Sequence, residues 1–184
     1  MQDLIFREAD SGDIQAILNI HNSNARGQDA SIDRGFLLTK ITEDEILKSL
    51  NHSGRYFVAA KNNGEIIGFV AISQPKISDE MLNKIIWKDE IFKKKVTSER
   101  HFYIQIVTTK PDYMSRGVAQ FMYESLYKKL PNSFVSVFIV TKPIANNRSL
   151  IFHQKQDFEQ IGSLQVDQLL DLQNYESILM FKET

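Results

Sequence analysis

The run Val107-Thr-Thr-Lys-Pro-Asp-Tyr-Met-Ser-Arg-Gly-Val-Ala119 decides how this 184-residue chain is read. An apolar strand over residues 101–109, with Phe102, Tyr103, Ile104, Ile106 and Val107, is stopped by Pro111. A helix over residues 115–129 then carries Ala119, Met122, Leu126 and Leu130 on one stripe, and Pro131 ends it. The first turn of such a helix leaves backbone N–H groups unpaired, and the dipole puts partial positive charge there. That arrangement suits a phosphate or pyrophosphate. Gly117 lets an anion approach the backbone, Ala119 keeps the next turn narrow, and Lys110 and Arg116 add charge. One glycine at a strand-to-helix turn is also ordinary fold punctuation, so this stretch alone leaves both readings open.

Upstream, Leu4-Ile-Phe-Arg7 reads as a first strand, and Asp10-Ser-Gly-Asp13 offers caps to a helix with Ile14, Ile17, Leu18 and His21 at helical spacing. Thr42-Glu-Asp-Glu45 has the capping-box pattern ahead of Ile46, Leu47 and Leu50. Residues 27–40, between these helices, read as a loop with an exposed Phe36-Leu-Leu38 segment. Strands at residues 56–60 and 65–72 are joined by Asn62-Asn-Gly64, a strong hairpin signal. Met81, Leu82, Ile85, Ile86 and Phe92 form a one-sided stripe that predicts an inserted amphipathic helix over residues 79–95. Its Lys93-Lys-Lys95 end complements the helix dipole. Downstream come a buried strand at 134–141, a short helix at 146–155 and closing strands at 158–164 and 175–181. The order βααββ(α)βαβαββ predicts an α/β fold.

Composition narrows the function. With no cysteine, a thiol nucleophile, a disulfide scaffold and a thiolate metal site are all excluded. A net charge of -1, with lysines and arginines scattered along the chain, gives no field for nucleic acid or anionic lipid. The longest apolar run, Phe134-Val-Ser-Val-Phe-Ile-Val140, is strand-sized, and the opening Met1-Gln-Asp-Leu-Ile-Phe-Arg-Glu8 is neither a signal nor a transit peptide. The expectation is a soluble, cytoplasmic protein with one domain over residues 1–184 and no membrane or nucleic-acid partner.

The strand, Pro111, Tyr113 and Arg116-Gly-Val-Ala119 together resemble the acetyl-CoA-binding signature of the GNAT N-acetyltransferase superfamily. Ile5-Phe-Arg-Glu-Ala-Asp-Ser-Gly-Asp13 looks like that family's opening strand and first cap, and Gly64-Glu-Ile-Ile-Gly-Phe-Val70 like its second hairpin. Asn146-Asn-Arg-Ser-Leu-Ile-Phe-His-Gln-Lys-Gln-Asp-Phe158 resembles its later Asn-x-x-Ser-x-x-x-His motif, as seen in phosphinothricin-type amino-acid acetyltransferases. The resemblance implies a mixed, mostly antiparallel central sheet with helices on both faces, spanning essentially the whole chain. Three positions depart from the family pattern. Met114 stands where Gln or Arg is usual, His153 where many members have tyrosine, and Asp157 where glycine precedes Phe158. Aspartate tolerates a left-handed backbone better than most residues, so that turn survives.

By resemblance, acetyl-CoA is the cosubstrate, no metal is needed, and an acetyl group passes directly to the primary amine of a small molecule, amino acid or peptide. Val107, Thr108 and Thr109 would bind the pantetheine arm, with the Val107 N–H a donor to the thioester oxygen. Met114, Ser115, Arg116, Gly117, Val118 and Ala119 would hold the pyrophosphate, and Asn146 would cap its helix and contact the cofactor. His153 would give the leaving thiolate its proton, though a histidine in this setting also packs on its helix and hydrogen-bonds a carbonyl. The general base is not readable; His101, Tyr103, Gln105 and an ordered water chain all remain open, while His21 and His52 are assigned to structure. The insert would cover the acceptor pocket, form a homodimer contact or simply cover the core. A catalytically silent CoA-binding regulatory module is the alternative function.

Overall fold

The computed structural model describes residues 4–27 and 34–184. It falls into two compact units, and the described parts of Met1–Ala30, Phe36–Ser73 and Ile104–Pro131 form the first. Its strands are β1 (Leu4–Glu8), β2 (Gly54–Lys61), β3 (Ile66–Ser73) and the later part of β5 (His101–Thr109), in that hydrogen-bonded order. The pleat of β2 sorts its neighbours. Tyr56, Val58 and Ala60 pack with Ile14, Ile17 and Ile20 of α1 (Ile14–Ser23) and Ile46 of α2 (Glu43–His52). Ala59, with Ile67 of β3, meets Val118 and Met122 of α5 (Val118–Lys129) instead. Helices therefore cover both faces of these strands.

The caps fall where the sequence puts them. Thr42 and Glu45 close a capping box on α2, and Asp10 and Asp13 close another on a short 3₁₀ turn before α1. Asn62-Asn-Gly64 makes the β2–β3 hairpin, with Gly64 left-handed at φ 84. The Phe36-Leu-Leu38 expectation is corrected: Phe36 is 9% exposed, and Leu37 bridges Ala25. Residues 28–33 of that loop lie outside the described residues.

The second unit comprises the described parts of Ser31–Gly35, Gln74–Tyr103 and Asn132–Thr184. Here the start of β5 pairs in parallel with β6 (Phe134–Lys142), the register running from His101↔Phe134 to Tyr103↔Ser136. Antiparallel pairing continues to β8 (Leu172–Glu183), β7 (Glu159–Leu169) and β4 (Ile85–Trp87). The fold class is α/β with eight strands among the described residues, mostly antiparallel.

Two differences from the sequence reading lie in this unit. The inserted helix is α3 (Asp79–Lys84), strand β4 and α4 (Glu90–Val96). Ser78 and Asp89 each cap a separate helix start, and the β-favouring Ile85-Ile86-Trp87 between them pairs with β7. An apolar stripe cannot reveal that break, because Leu82, Ile85 and Val96 share one core with Ile161, Leu179 and Phe181. The closing hairpin is longer than its predicted strands, since it turns at Leu170 (φ 56), a residue type that carries no turn signal. Among the described residues, no helix is long and apolar enough to cross a membrane.

Candidate active site

Strand β5 delivers Val107, half-buried among the residues facing α5, and then Thr108 and Thr109, which are buried. The strand's exit is pinned twice. Asn24, the C-cap of α1, donates from Nδ2 to the Thr109 carbonyl at 3.0 Å and to the Ile20 carbonyl at 2.7 Å. The Lys110 N–H donates to the Ile67 carbonyl at 2.8 Å. Gly68 makes room for this approach: a Cβ there would sit 3.0 Å from the Thr108 carbonyl oxygen and 3.2 Å from Met122 Cε.

Pro111–Tyr113 form one 3₁₀ turn with proline at its start, and Met114 is extended. Ser115 (φ 60) and Gly117 (φ 78) are both left-handed, so α5 begins only at Val118, three residues later than the helix expected over residues 115–129. Changes of backbone hand over successive residues turn N–H groups into a concave array, an anion-binding arrangement. The amino end of α5 adds its dipole to that array. Met114 through Ala119 are therefore brought together as one loop and first helical turn.

The side-chain charges around this loop are distributed differently from the sequence reading. Lys110 Nζ lies 2.7 Å from Glu65 Oε1, so its charge is already paired. Lys61 Nζ is 2.9 Å from Glu65 Oε2 and also donates to the Tyr113 hydroxyl, which in turn donates to Glu65 Oε2 at 3.3 Å. Lys110 first, then Lys61, hold the Glu65 carboxyl down at about 2. Arg116 lies with its guanidinium carbon 5.6 Å from the Tyr113 ring centroid and has no carboxylate partner among the described residues. Of the two cations marked in the sequence, Arg116 is the one left to face a ligand. Asn24, Lys61 and Glu65 were missed: Asn24 is 85 residues distant along the chain from Thr109, and the other two flank a hairpin read only as a turn.

In the second unit, Asn146 and His153 share helix α6 (Asn147–Lys155). Asn146 Oδ1 accepts from the Ser149 N–H at 3.2 Å, as an N-cap should. His153 Nδ1 donates to the Ser149 carbonyl at 2.7 Å, so Ser149 links the two. His153 is 1% exposed and meets Phe152 and Phe158 ring-edge to ring-face, and burial pushes its pKa down to about 4. Asp157 adopts φ 61, so the left-handed turn before Phe158 persists without glycine.

The open candidates for a base are also placed. His101 is buried, with Nε2 2.7 Å from Ser136 Oγ, and desolvation pushes its pKa down to about 4. Tyr103 is pushed up to about 12, chiefly by burial, and Gln105 is exposed. His21 Nε2 donates to the Thr39 carbonyl at 2.9 Å, and His52 Nδ1 donates to the Lys48 carbonyl at 2.8 Å, both within local structure. No group of three or more metal-ligating side chains forms among the described residues.

The end of β5, the left-handed turn and the start of α5 form a loop whose backbone N–H groups are of the kind that suits an anion, on an α/β fold. The model of the acetyltransferase (GNAT) family matches residues 15–158, and the chain belongs to that family; it is an acyltransferase. No curated protein matches the sequence. Among solved structures it is similar to smu.2055 from Streptococcus mutans UA159, with TM-score 0.69 and 12% identity, covering 97% of this chain and 98% of that one. The ribosomal-protein-S18-alanine N-acetyltransferase from Escherichia coli gives TM-score 0.66 at 11% identity, covering 98% and 93%. Arabidopsis thaliana NAA60 in complex with acetyl-CoA gives 0.65 at 16%, covering 98% of each chain. At these identities the likeness is one of fold.

Proposed function

We propose that this acyltransferase takes its acetyl group from acetyl-CoA and passes it directly to the primary amine of a small molecule, amino acid or peptide. The observation that carries the reading is the loop from Met114 to Gly117, whose two left-handed residues, Ser115 and Gly117, lead into the amino end of α5. Backbone N–H groups there, with Arg116, suit the cofactor's pyrophosphate, and they substitute for the polar side chain absent at Met114. Acetyl-CoA supplies a thioester carbonyl activated toward amines. Val107 and Thr109, at the rigid end of β5, are the backbone positions suited to its pantetheine arm. The chain has no cysteine for a cysteinyl acetyl-enzyme, which favours direct attack of the acceptor amine on that carbonyl, with a covalent route through a serine as the alternative.

His153 fits this reading as a positioning residue better than as the thiolate's proton donor. A histidine whose pKa is about 4 is neutral at pH 7, and its Nδ1 proton is committed to the Ser149 carbonyl. It stiffens α6, whose start Asn146 caps. Thermal shift with coenzyme A and acetyl-CoA, followed by free-thiol release across an amine panel, tests the proposal. Stabilisation by both nucleotides and amine-dependent thiol release are expected. Stabilisation with no turnover on any amine would favour a silent CoA-binding module, and no stabilisation by either nucleotide would refute cofactor binding.

A further inference from the structure

We infer that Glu65 is a positioning residue for the cofactor loop, holding residues 110–117 in their ligand-ready shape from the neighbouring hairpin. The inference rests on the acetyl-CoA reading above and adds to it a residue outside the loop. Glu65 follows Gly64 at the foot of β3, and its two oxygens are divided between both ends of the 3₁₀ turn. Oε1 takes Lys110 Nζ at 2.7 Å, at the point where the chain leaves β5. Oε2 takes the Tyr113 hydroxyl at 3.3 Å and Lys61 Nζ at 2.9 Å, at the point where the chain enters the left-handed segment. Lys61 completes the clasp from β2, with its ammonium 4.7 Å from the Tyr113 ring centroid.

Within the segment so held, the Tyr113 N–H donates to the Lys110 carbonyl at 2.9 Å and the Met114 N–H to the Pro111 carbonyl at 3.2 Å, but the next residue is strained. Ser115 at φ 60 is a non-glycine residue in a conformation that local sterics disfavour, and it persists only where the surroundings determine it. One end of the turn is fixed by the Lys110–Ile67 backbone hydrogen bond. The other end has Tyr113, and Tyr113 is tied down through Glu65 and Lys61. Removing the carboxylate leaves Tyr113 held by Lys61 and by its packing alone, which loosens that second anchor, and a loop that must order on binding costs affinity.

Two effects of removing the charge have opposite signs, which makes the inference sharp. Loss of Glu65 unpairs Lys110 and Lys61, and bare ammonium groups near an anion site would tighten nucleotide binding. These groups are about one-third exposed, with side-chain exposures of 39% for Lys110 and 35% for Lys61. Water and salt therefore screen much of that gain. Loss of preorganisation is not screened, so weaker binding wins.

The test is calorimetric titration of coenzyme A into wild type, Glu65→Gln and Tyr113→Phe, at low and at physiological salt, together with steady-state kinetics. Glu65→Gln keeps the side chain's size and removes its charge; Tyr113→Phe keeps the ring and removes only the hydroxyl, so it stays informative if the first variant folds poorly. Both variants should raise the coenzyme A Kd at least fivefold at physiological salt. They should also raise KM for acetyl-CoA in parallel while leaving kcat at saturation within twofold. A Kd that is unchanged or falls in both variants overturns the inference, and so does a matching loss in kcat without a change in Kd. Failure of wild type to bind coenzyme A would instead remove the acetyl-CoA reading itself, and this inference with it.

Discussion

Acidification should destabilise this protein through its buried histidines, His21, His101 and His153, and the last two, the most strongly shifted, set the size of the effect. His153 and His101 are 1% and 3% exposed, and burial holds each pKa at about 4, against 6.5 in an open chain. Because the folded pKa is depressed, the unfolded chain binds more protons between pH 6.5 and 4, so stability is intact at pH 7 and lost as pH falls through that window. Two-state linkage makes the loss about 2 kcal/mol per histidine between pH 7 and pH 5, hence about 4 for the pair. Asp13 and Glu65 do not confuse the window, since Arg7 in the first case and Lys110 in the second pull their carboxyls down, so both stay ionised at pH 5. Urea unfolding of wild type and His153→Gln at pH 7 and pH 5 reads the difference. The variant starts less stable, having lost packing against Phe158, but its loss on acidification should be about 2 kcal/mol smaller than that of wild type. An equal loss in both proteins would refute the neutral, buried state of His153 and restore it as a candidate acid.

Other substitutions test other parts of the account. Gly117→Ala places a Cβ at φ 78 and should cost about 1 kcal/mol of stability, while raising the acetyl-CoA KM several-fold in a steady-state assay. Gly68→Ala sets a Cβ 3.0 Å from the Thr108 carbonyl and should shift the end of β5, with the acetyl-CoA KM rising more than the acceptor KM. Arg7→Met leaves Asp13, whose side chain is 8% exposed, without the cation that contacts it at 2.5 and 2.9 Å; denaturant unfolding at pH 7 should show a loss of about 2 kcal/mol. Deletion of residues 79–95 removes Leu82 and Ile85 from a shared core along with strand β4, so circular dichroism should show loss of folded structure rather than an altered acceptor KM.

Legibility in the sequence tracked how local the physics is. Caps at Thr42 and Asn146, the Asn-Gly hairpin and the tolerance of Asp157 for φ 61 are decided within a few residues, and all four are found in place. The insert misled because an apolar stripe reports which residues are buried and not whether the backbone is continuous. Leu82, Ile85 and Phe92 face one core from two helices and a strand. At the site, Gly117 was legible because it stands at the junction itself, whereas Asn24, Lys61 and Glu65 act across sheet neighbours that no spacing rule brings together. The neutral state of His153 was open for the same reason: its type and motif position suggest proton transfer, but burial in the folded chain, beside Phe152 and Phe158, pushes its pKa down.

The central claim is acetyl transfer from acetyl-CoA to an amine, and mass spectrometry of the acceptor after incubation with enzyme and acetyl-CoA tests it most directly. One acetyl group on an amine nitrogen, formed in step with free coenzyme A and reduced by Gly117→Ala at subsaturating acetyl-CoA, is the predicted result. Saturable acetyl-CoA binding with every amine in a broad panel recovered unmodified would contradict it.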